Sequence, residues 1–374
     1  MSSSSRSLSR LTTPCYGVLL LALLAIWLPA HAASTIYVNS TATGANTGAS
    51  WTNAFTTLQA ALQAATKGDE IWVARGIYRP TGPNGDGTIS FTIKDGVAIY
   101  GGFAGNETAR IQRNSDPATN GTVLSGDLNG DDGSGGWDDE NSYHVVTSSG
   151  VSTKTVLDGF TISDGNANGT GDSCPGTRCG GGMVNEDNSN PALVNLILRS
   201  NFADFGGGGM ANFTNSSPTL TNVTFSGNRA GNPYQETGHG GGMYNTNSSP
   251  TLTNVTFRGN GTYSDGGGMY NSSNSSPKLT QVTFMGNATD AGNGGGMANV
   301  TNSSPMIAHT TFMSNTADNN KGGGGLYDDN SSPTLTDVTF TSNTTRYANG
   351  AGMANLNASN ATLTNVTFTG GVIF

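Results

Sequence analysis

An acidic segment of the chain carries the residue types and spacing that bind calcium. Oxygen-bearing side chains alternate there and recur a few residues later, at Asp127, Asn129, Asp131, Asp132, Asp138, Asp139 and Glu140. Calcium is held in protein loops by about six to eight such oxygen ligands. Gly133 falls one place late for an EF-hand loop, and no helices flank the segment. The segment is therefore either a structural calcium site, formed by Asp127, Asn129, Asp131, Asp132 and Asp138, or an acidic surface loop.

The sequence presents no candidate catalytic residue. A polysaccharide lyase needs a base, usually Lys or Arg, beside acids that bind calcium or neutralise a uronate carboxylate. In the second half of the chain the basic residues stand singly, at Arg229, Arg258, Lys278, Lys321 and Arg346. The acids are equally dispersed, and His144 and His309 are isolated. We therefore predict no catalytic residue and no required cofactor.

Two cysteines are predicted to form a disulfide. Cys174 and Cys179 enclose Pro-Gly-Thr-Arg, and the third cysteine, Cys15, lies in a predicted export signal. A redox pair more often shows Cys-x-x-Cys, and a zinc site needs ligands that the flanking residues do not offer. In an oxidising compartment the two cysteines are expected to form a structural disulfide.

A repeat of roughly 27 residues fills the chain from Gly180 onward. Each unit contains a Gly-rich step, Met, Asn two residues later, a Ser/Pro turn and Leu-x-x-Val-x-Phe-x-x-Asn. One column of equivalent residues is Met183, Met210, Met243, Met269, Met297, Leu326 and Met353. A second is Leu198, Phe225, Phe257, Phe284, Phe312, Phe340 and Phe368. The spacing from the first column to the second is always 14 or 15, whereas the return spacing varies from 12 to 18, so insertions must enter a loop in the return segment.

The repeat predicts coils made only of strands. Leu-x-x-Val-x-Phe-x-x-Asn also fits a leucine-rich repeat, but there the Asn is followed by an apolar residue and a helical segment. Here a Gly-rich run follows, and each Gly costs a helix about 1 kcal/mol relative to Ala. The fold class is therefore all-β, a right-handed, single-stranded parallel β-helix. Since one coil cannot repay its backbone entropy alone, stacking must supply the remaining stability.

Asparagine columns are expected to stack along this solenoid. Leu220 and Val223 are three residues apart whereas Val223 and Phe225 are two apart, so strand alternation breaks at Asn222. Asn tolerates the left-handed conformation of such a bend and can bond to its equivalent in the next coil. The bend column is Asn195, Asn222, Asn254 and Asn365, interrupted by Gln281, His309 and Asp337. A second column is Asn201, Asn228, Asn260, Asn287, Asn315 and Asn343.

The region before the repeats is predicted to start the solenoid. A capping helix and a first coil are predicted from three segments. They are a strand at 36–38, an amphipathic helix with Phe55, Leu58, Leu62 and Ala65 on one face, and a strand at 70–73. We divide the chain into a signal peptide (1–32), a cap and first coil (33–87), irregular coils with the acidic loop (88–179) and seven regular repeats (180–374).

The N-terminus predicts export. Arg6 and Arg10 precede an apolar run from Val18 to Leu28, and Ala30-His31-Ala32 forms a cleavage site. The run is shorter than the roughly 20 residues of a spanning helix, so no membrane span is expected after cleavage. Removing residues 1–32 takes away two arginines and no acid, so the formal net charge moves from −9 to −11. Nucleic acid is therefore excluded as a partner.

Motifs in both halves resemble known β-helix proteins. Thr57-Leu58-Gln59-Ala60-Ala61-Leu62, Lys67-Gly68-Asp69-Glu70-Ile71 and Gly76-Ile77-Tyr78 look like the start of bacterial pectate-lyase-like β-helix proteins. The repeated Phe-x-x-Asn and Gly-Gly-Gly-Met steps resemble motifs of chlamydial-type polymorphic outer-membrane proteins, with Met in place of Ile. Gly238-His239-Gly240 is similar to a step of polygalacturonase-like hydrolases, but their paired aspartates and Arg-x-Lys are missing. The resemblance implies a secreted or cell-surface, outer-membrane-associated β-helix and does not fix its function.

The sequence predicts a non-catalytic, adhesin-like or structural protein. Its lateral face and loops would contact glycans or a surface protein. The alternative is a polysaccharide lyase or glycoside hydrolase of the pectate-lyase-like class. Val372, Ile373 and Phe374 end an uncapped coil, which predicts self-association through exposed strand edges or a truncated reading frame.

Overall fold

The computed structural model describes residues 1–3, 33–132, 140–171, 174–232, 238–319, 321–348 and 350–373, without the side chains of 372 and 373. Residues 4–32 lie outside these ranges, so the signal peptide stays a prediction. Ala33–Phe374 form one compact unit, which contains every element below. Among the described residues no helix is long and apolar enough to cross a membrane.

The part before the repeats combines nine strands with two short helices. They are β1 Thr35–Val38, α1 Leu58–Ala64, β2 Glu70–Ala74, β3 Gly76–Tyr78, β4 Phe91–Thr92, β5 Ala98–Phe103, α2 Pro117–Asn120, β6 Thr122–Ser125, β7 Val146–Ser149, β8 Val156–Ser163 and β9 Asn166–Ala167. A 3₁₀ turn, Arg110–Gln112, lies between β5 and α2. Helix α1 begins at Thr57, whose side chain accepts from the Ala60 amide at 3.3 Å, and its buried face packs into the core as the predicted cap.

The described residues of the repeats form strands and no helix, as predicted. They are β10 Met183–Glu186, β11 Ala192–Arg199, β12 Phe202–Ala203, β13 Met210–Asn212, β14 Thr219–Ser226, β15 Arg229–Ala230, β16 Met243–Thr246, β17 Thr251–Arg258, β18 Gly261–Thr262, β19 Met269–Ser272, β20 Lys278–Thr280, β21 Thr283–Met285, β22 Ala288–Thr289, β23 Met297–Val300, β24 Met306–Ala308, β25 Thr311–Met313, β26 Thr316–Ala317, β27 Leu326–Asp329, β28 Thr334–Thr341, β29 Thr344–Thr345, β30 Met353–Leu356, β31 Thr362–Thr369 and β32 Val372–Ile373.

Three parallel sheets run along the molecule, and the fold is a right-handed parallel β-helix. The first sheet begins with β1, β2, β5, β8, β11, β14 and β17 and continues to β31. The second sheet runs from β4 to β30, and the third, of two-residue strands, from β9 to β32. Each repeat contributes one segment to each sheet in turn. The loop of variable length follows the third-sheet strand of each coil. It lies in the return segment between the Phe column and the next Met, where the sequence analysis predicted insertions.

The two apolar columns stack in register inside the solenoid. Each Met-column residue pairs with its equivalent in the next coil, from Met183 to Met353. The rings of the Phe column lie 4.7–4.8 Å apart and nearly parallel, from Phe225 to Phe368. The coil that contains Met243, Leu252, Val255 and Phe257 buries all four of these side chains, as expected from the repeat.

Both predicted asparagine columns form, and they differ in exposure. Every residue of the bend column, including Gln281, His309 and Asp337, has a positive φ between 48° and 57°, so the bend keeps its geometry where the residue type changes. The second column, from Asn201 to Asn343, is buried. Its amides donate to the next coil at 2.9–3.0 Å from Asn201 through to Asn343.

Candidate functional site

The widest regular surface of the repeats is the outward side of the first sheet. We define the lateral face as the outward side chains of the first-sheet strands between β11 and β31. One of its columns is threonine in six successive coils: Thr224, Thr256, Thr283, Thr311, Thr339 and Thr367. A parallel column is Thr221, Thr253, Thr280, Ala308, Thr336 and Thr364. Hydroxyl groups therefore repeat from coil to coil in register with the strands, and the stacked phenylalanine rings of successive coils lie 4.7–4.8 Å apart.

The bend column runs between these threonine columns and adds exposed amides to the lateral face. Asn254 donates to Asn222 at 2.8 Å, and Asn222 donates to Asn195 at 3.0 Å. Because each amide is fixed by its neighbour and by the left-handed backbone, it keeps one orientation before any ligand arrives. The lateral face thus offers both donors and acceptors from a rigid support.

Charged groups interrupt the lateral face at a few positions. Arg199, Arg258 and Lys278 stand singly in its outer columns. His309 and Asp337 lie in adjacent coils of the bend column, with 3.4 Å between His309 Nδ1 and Asp337 Oδ2. Both side chains are exposed, so this contact contributes little to stability. The described part of the repeats holds no gathering of acids and bases on this face.

The acidic loop brings together two of the five predicted calcium ligands. Carboxylate oxygens of Asp127, Asp131 and Glu140 lie within 4.8 Å of one another. Asn129 is directed elsewhere, since its Oδ1 accepts from the Asn84 amide at 2.8 Å. Asp132 Oδ2 accepts from Asn141 Nδ2 at 2.6 Å. Asp138 lies outside the described residues. Glu140, which the sequence analysis noted beside the loop, takes the third place in the group.

The predicted disulfide between Cys174 and Cys179 is present. It closes the loop between β9 and β10, next to an ion pair of 3.3 Å between Arg178 and Asp204. Cys179 is buried in a small apolar cluster with Val184, Ala211 and Phe213, outside the main core. The disulfide therefore fixes a loop against the outer side of the second sheet, which is a structural role.

A charged cluster that the sequence analysis missed lies over the first sheet before the repeats. We call Glu70, Tyr100, Arg110, Arg113 and Asp158 the early-coil cluster. Arg110 Nη1 donates to Glu70 Oε1 at 2.6 Å and to the Tyr100 hydroxyl at 2.9 Å. Arg113 Nη2 donates to Asp158 Oδ2 at 2.5 Å. Both guanidinium groups lie over the Tyr100 ring, at 4.6 Å and 5.2 Å from its centre.

Pairing limits the chemistry that the early-coil cluster can perform. Arg113 and Asp158 are nearly buried, at 8% and 12% side-chain exposure, and Asn195 also donates to Asp158 at 2.9 Å. Glu70 is held by Arg110 and by Trp72 Nε1 at 2.8 Å. Burial raises the pKa of the Tyr100 hydroxyl. Each carboxylate thus already accepts hydrogen bonds from charged or fixed donors, which is unlike a general base poised to take a proton.

A cleft of about 500 Å³ opens beside the cluster, lined by Glu70, Ala109, Arg110, Ile111, Arg113 and Ser115. The segment after β5 forms its outer wall, because the 3₁₀ turn and α2 cross the outward side of the first sheet there. The outward alternation of Glu70, Trp72 and Tyr100 along β2 and β5 was visible in the sequence. The return of Arg110 and Arg113 onto those residues was not.

His239 does not join a catalytic group among the described residues. Its ring stacks on Tyr270 at 4.3 Å between centres, and Tyr270 stacks on Tyr244 at 5.5 Å. Burial lowers the pKa of His239, and nearby Asp265 opposes that shift. Tyr327, in the same outward column, is only 2% exposed. These rings cover the coil edge and do not form an open platform for sugars.

Comparisons with known proteins yield a distant structural likeness and no family. No protein-family model matches the chain, and no curated protein matches it. A solved structure with a similar fold is pectin methylesterase from Yersinia enterocolitica, at 12% sequence identity and a TM-score of 0.38, covering 81% of this chain and 95% of that chain. A likeness this distant carries no information about activity.

Proposed function

We propose that the protein is a non-catalytic β-helix of the secreted or cell-surface type, which contacts glycans or other surfaces through its lateral face. The observation that supports this function is the pair of threonine columns that flank the bend column in register from coil to coil. The predicted export signal supports a location outside the cell, where such a surface would meet polysaccharides.

Hydroxyl and amide groups suit a glycan ligand. A sugar presents several hydroxyls that both donate and accept, and threonine and asparagine side chains do the same. The lateral face is held by continuous parallel ladders, so little conformational entropy is lost when it binds. Individual contacts of this kind are weak, at about 1 kcal/mol each. Affinity would therefore come from many equivalent contacts along an extended chain.

The second candidate function is a polysaccharide-active enzyme, and the early-coil cluster is the observation that favours it. It is the place among the described residues where two acids, two guanidinium groups and a tyrosine hydroxyl meet beside a cleft. The one-to-one pairing of its charges argues for a role in fixing the crossing segment. In an enzyme the exposed pair of Glu70 and Arg110 would be the first residues to test.

Isosteric substitutions test the lateral face. One variant combines four substitutions: Thr224→Val, Thr256→Val, Thr283→Val and Thr311→Val. It removes four hydroxyls and keeps β-branched side chains, so the strands remain. The measurement is depletion of the exported chain from solution by a panel of insoluble polysaccharides. We expect at least one polysaccharide to bind the unsubstituted chain and the variant to bind about tenfold more weakly or worse, since a tenfold change needs about 1.4 kcal/mol.

The matched control lies on another side of the molecule. Thr316 and Thr344 stack in the third sheet, 2.9 Å apart between hydroxyl oxygens. Thr316→Val with Thr344→Val should leave binding unchanged. Equal losses in both variants would mean that the lateral face is not the contact surface, and absence of binding to every polysaccharide would remove glycans as the ligand class.

A further inference from the structure

A third amide ladder runs inside the solenoid, and it ends in an acid. Asn185, Asn212, Asn245, Asn271 and Asn299 lie two residues after each Met-column position and are buried. Each side-chain amide donates to Oδ1 of the next residue at 2.7–2.8 Å. The final member is Asp328, whose Oδ1 accepts from Asn299 at 2.8 Å. Asp328 is 0% exposed.

The direction of this ladder determines what Asp328 can do. Every amide uses its Nδ2 to donate toward the following coil and its Oδ1 to accept from the preceding one. Asn355 in β30 is the register partner of Asp328 in β27. In Asp328 a second carboxylate oxygen, Oδ2, takes the position that the donor Nδ2 occupies in the asparagines of the ladder. Among the described residues Asp328 Oδ2 has no hydrogen-bond partner.

The surroundings of Asp328 offer no compensating charge among the described residues. Strands β23 and β30, which pair with β27 on its two sides, contain no ionisable residue. On β27 itself, Tyr327 donates to Asp329 Oδ2 at 3.1 Å, and both residues alternate outward. Across the interior, β28 presents the buried apolar residues Leu335, Val338 and Phe340, and its one acid, Asp337, lies at the exposed bend.

We propose that Asp328 is a proton-controlled lock between two coils. Protonated, its Oδ2–H donates to Asn355 Oδ1 and extends the ladder to this exposed residue in the coil formed by β30 and β31. Ionised, it places an unpaired buried charge at that junction and loosens the following coil. An unpaired buried charge is among the strongest destabilising features in a protein interior.

The expected pH dependence follows from the environment. Burial raises the pKa of Asp328 from 3.8 to about 8, and the hydrogen bond from Asn299 opposes this only in part. Because the folded pKa lies above the unfolded value, the folded chain holds an extra proton between these two values. The stabilisation is therefore fully present below about pH 4 and is lost as the pH rises to about 8.

Hydrogen exchange at Met353–Leu356 and Thr362–Thr369 tests the lock. Asp328→Asn restores the amide found at the five preceding positions, and the control Asp290→Asn removes an exposed acid from an earlier coil. For each variant we take the ratio of two exchange rates, that of the unsubstituted chain divided by that of the variant. This ratio cancels the intrinsic pH dependence of exchange. For Asp328→Asn this ratio should rise about tenfold or more from pH 5 to pH 9. For Asp290→Asn it should stay constant.

Infrared difference spectra supply an independent readout. In the spectrum of the unsubstituted chain minus that of Asp328→Asn, we expect the carbonyl band of a protonated carboxyl group at pH 6, about half of it near pH 8 and none by about pH 10. Absence of that band at pH 6 would overturn the proposal. So would an exchange ratio for Asp328→Asn that does not change with pH.

Discussion

Asn228 donates its side-chain amide to Oδ1 of Asn260 one coil further along, at 2.9 Å, and both residues are buried. Asn260 also accepts from the Asn228 backbone amide and donates to Phe225 O and to Asn287 Oδ1, each at 3.0 Å. One side chain thus links three consecutive coils. The ladder is therefore a structural element of the interior in addition to being a repeated motif.

Truncating this ladder should be costly. Asn260→Ala leaves the Asn228 amide and the Phe225 carbonyl buried without their partner, so we expect a loss of about 3 kcal/mol in the free energy of unfolding. Urea denaturation followed by circular dichroism measures it. The control is Asn254→Gly on the exposed bend, where the φ of 54° suits glycine. Similar losses in the two variants would contradict the difference in burial.

The glycine step before each Met is required by close packing. A Cβ at Gly268 would lie 2.5 Å from Gly296 O and 2.9 Å from Phe284 Cδ1. Gly268→Ala should therefore cost about 1–3 kcal/mol through overpacking. Gly259 has a φ of +60°, and a Cβ added to it would meet no atom within 4 Å, so it should accept Asn nearly without loss. Thermal unfolding of both variants measures the contrast, and a stable Gly268→Ala chain would refute the packing account.

The disulfide should matter locally. Its two cysteines are five residues apart, so the chain-entropy account assigns the closed loop about 2 kcal/mol. Cys174→Ser with Cys179→Ser should fold and melt a few degrees lower. Titration of the natively exported, unreduced chain should find no free thiol in the mature part. Two reactive thiols there would contradict the pairing.

Calcium binding by the acidic loop stays a prediction. If Asp127, Asp131 and Glu140 hold the ion, millimolar calcium should raise the melting temperature by mass action. Asp131→Asn should abolish most of that increase, whereas Asp290→Asn, in an exposed ion pair with Arg229, should leave it intact. Calorimetry with and without chelator decides. An unchanged melting temperature would make the segment an acidic surface loop.

The repeat geometry was predictable because every coil supplies the same evidence. The Met and Phe columns, the bend at Asn222 and the buried column at Asn228 all follow from spacing. The ladder from Asn185 to Asn299 was missed, although strand alternation after an inward Met places the second following residue inward as well.

The early-coil cluster could not have been predicted in the same way. Arg110 and Arg113 lie in a connecting segment with no periodicity, and their contacts depend on how that segment crosses the first sheet. Glu140 entered the acidic group for a similar reason, because residues separated along the chain meet only when the loop returns. Spacing alone assigns positions within strands and cannot assign the path of an irregular connection.

Binding without turnover is the central claim, and one assay tests it most directly. The exported chain is incubated with each polysaccharide that it binds, with and without calcium, and soluble product is measured beside bound protein. We predict retention of protein on the polysaccharide and no product above that of a Glu70→Gln, Arg110→Gln control. Product release by the unsubstituted chain that disappears in this control would contradict the account and identify the early-coil cluster as an active site.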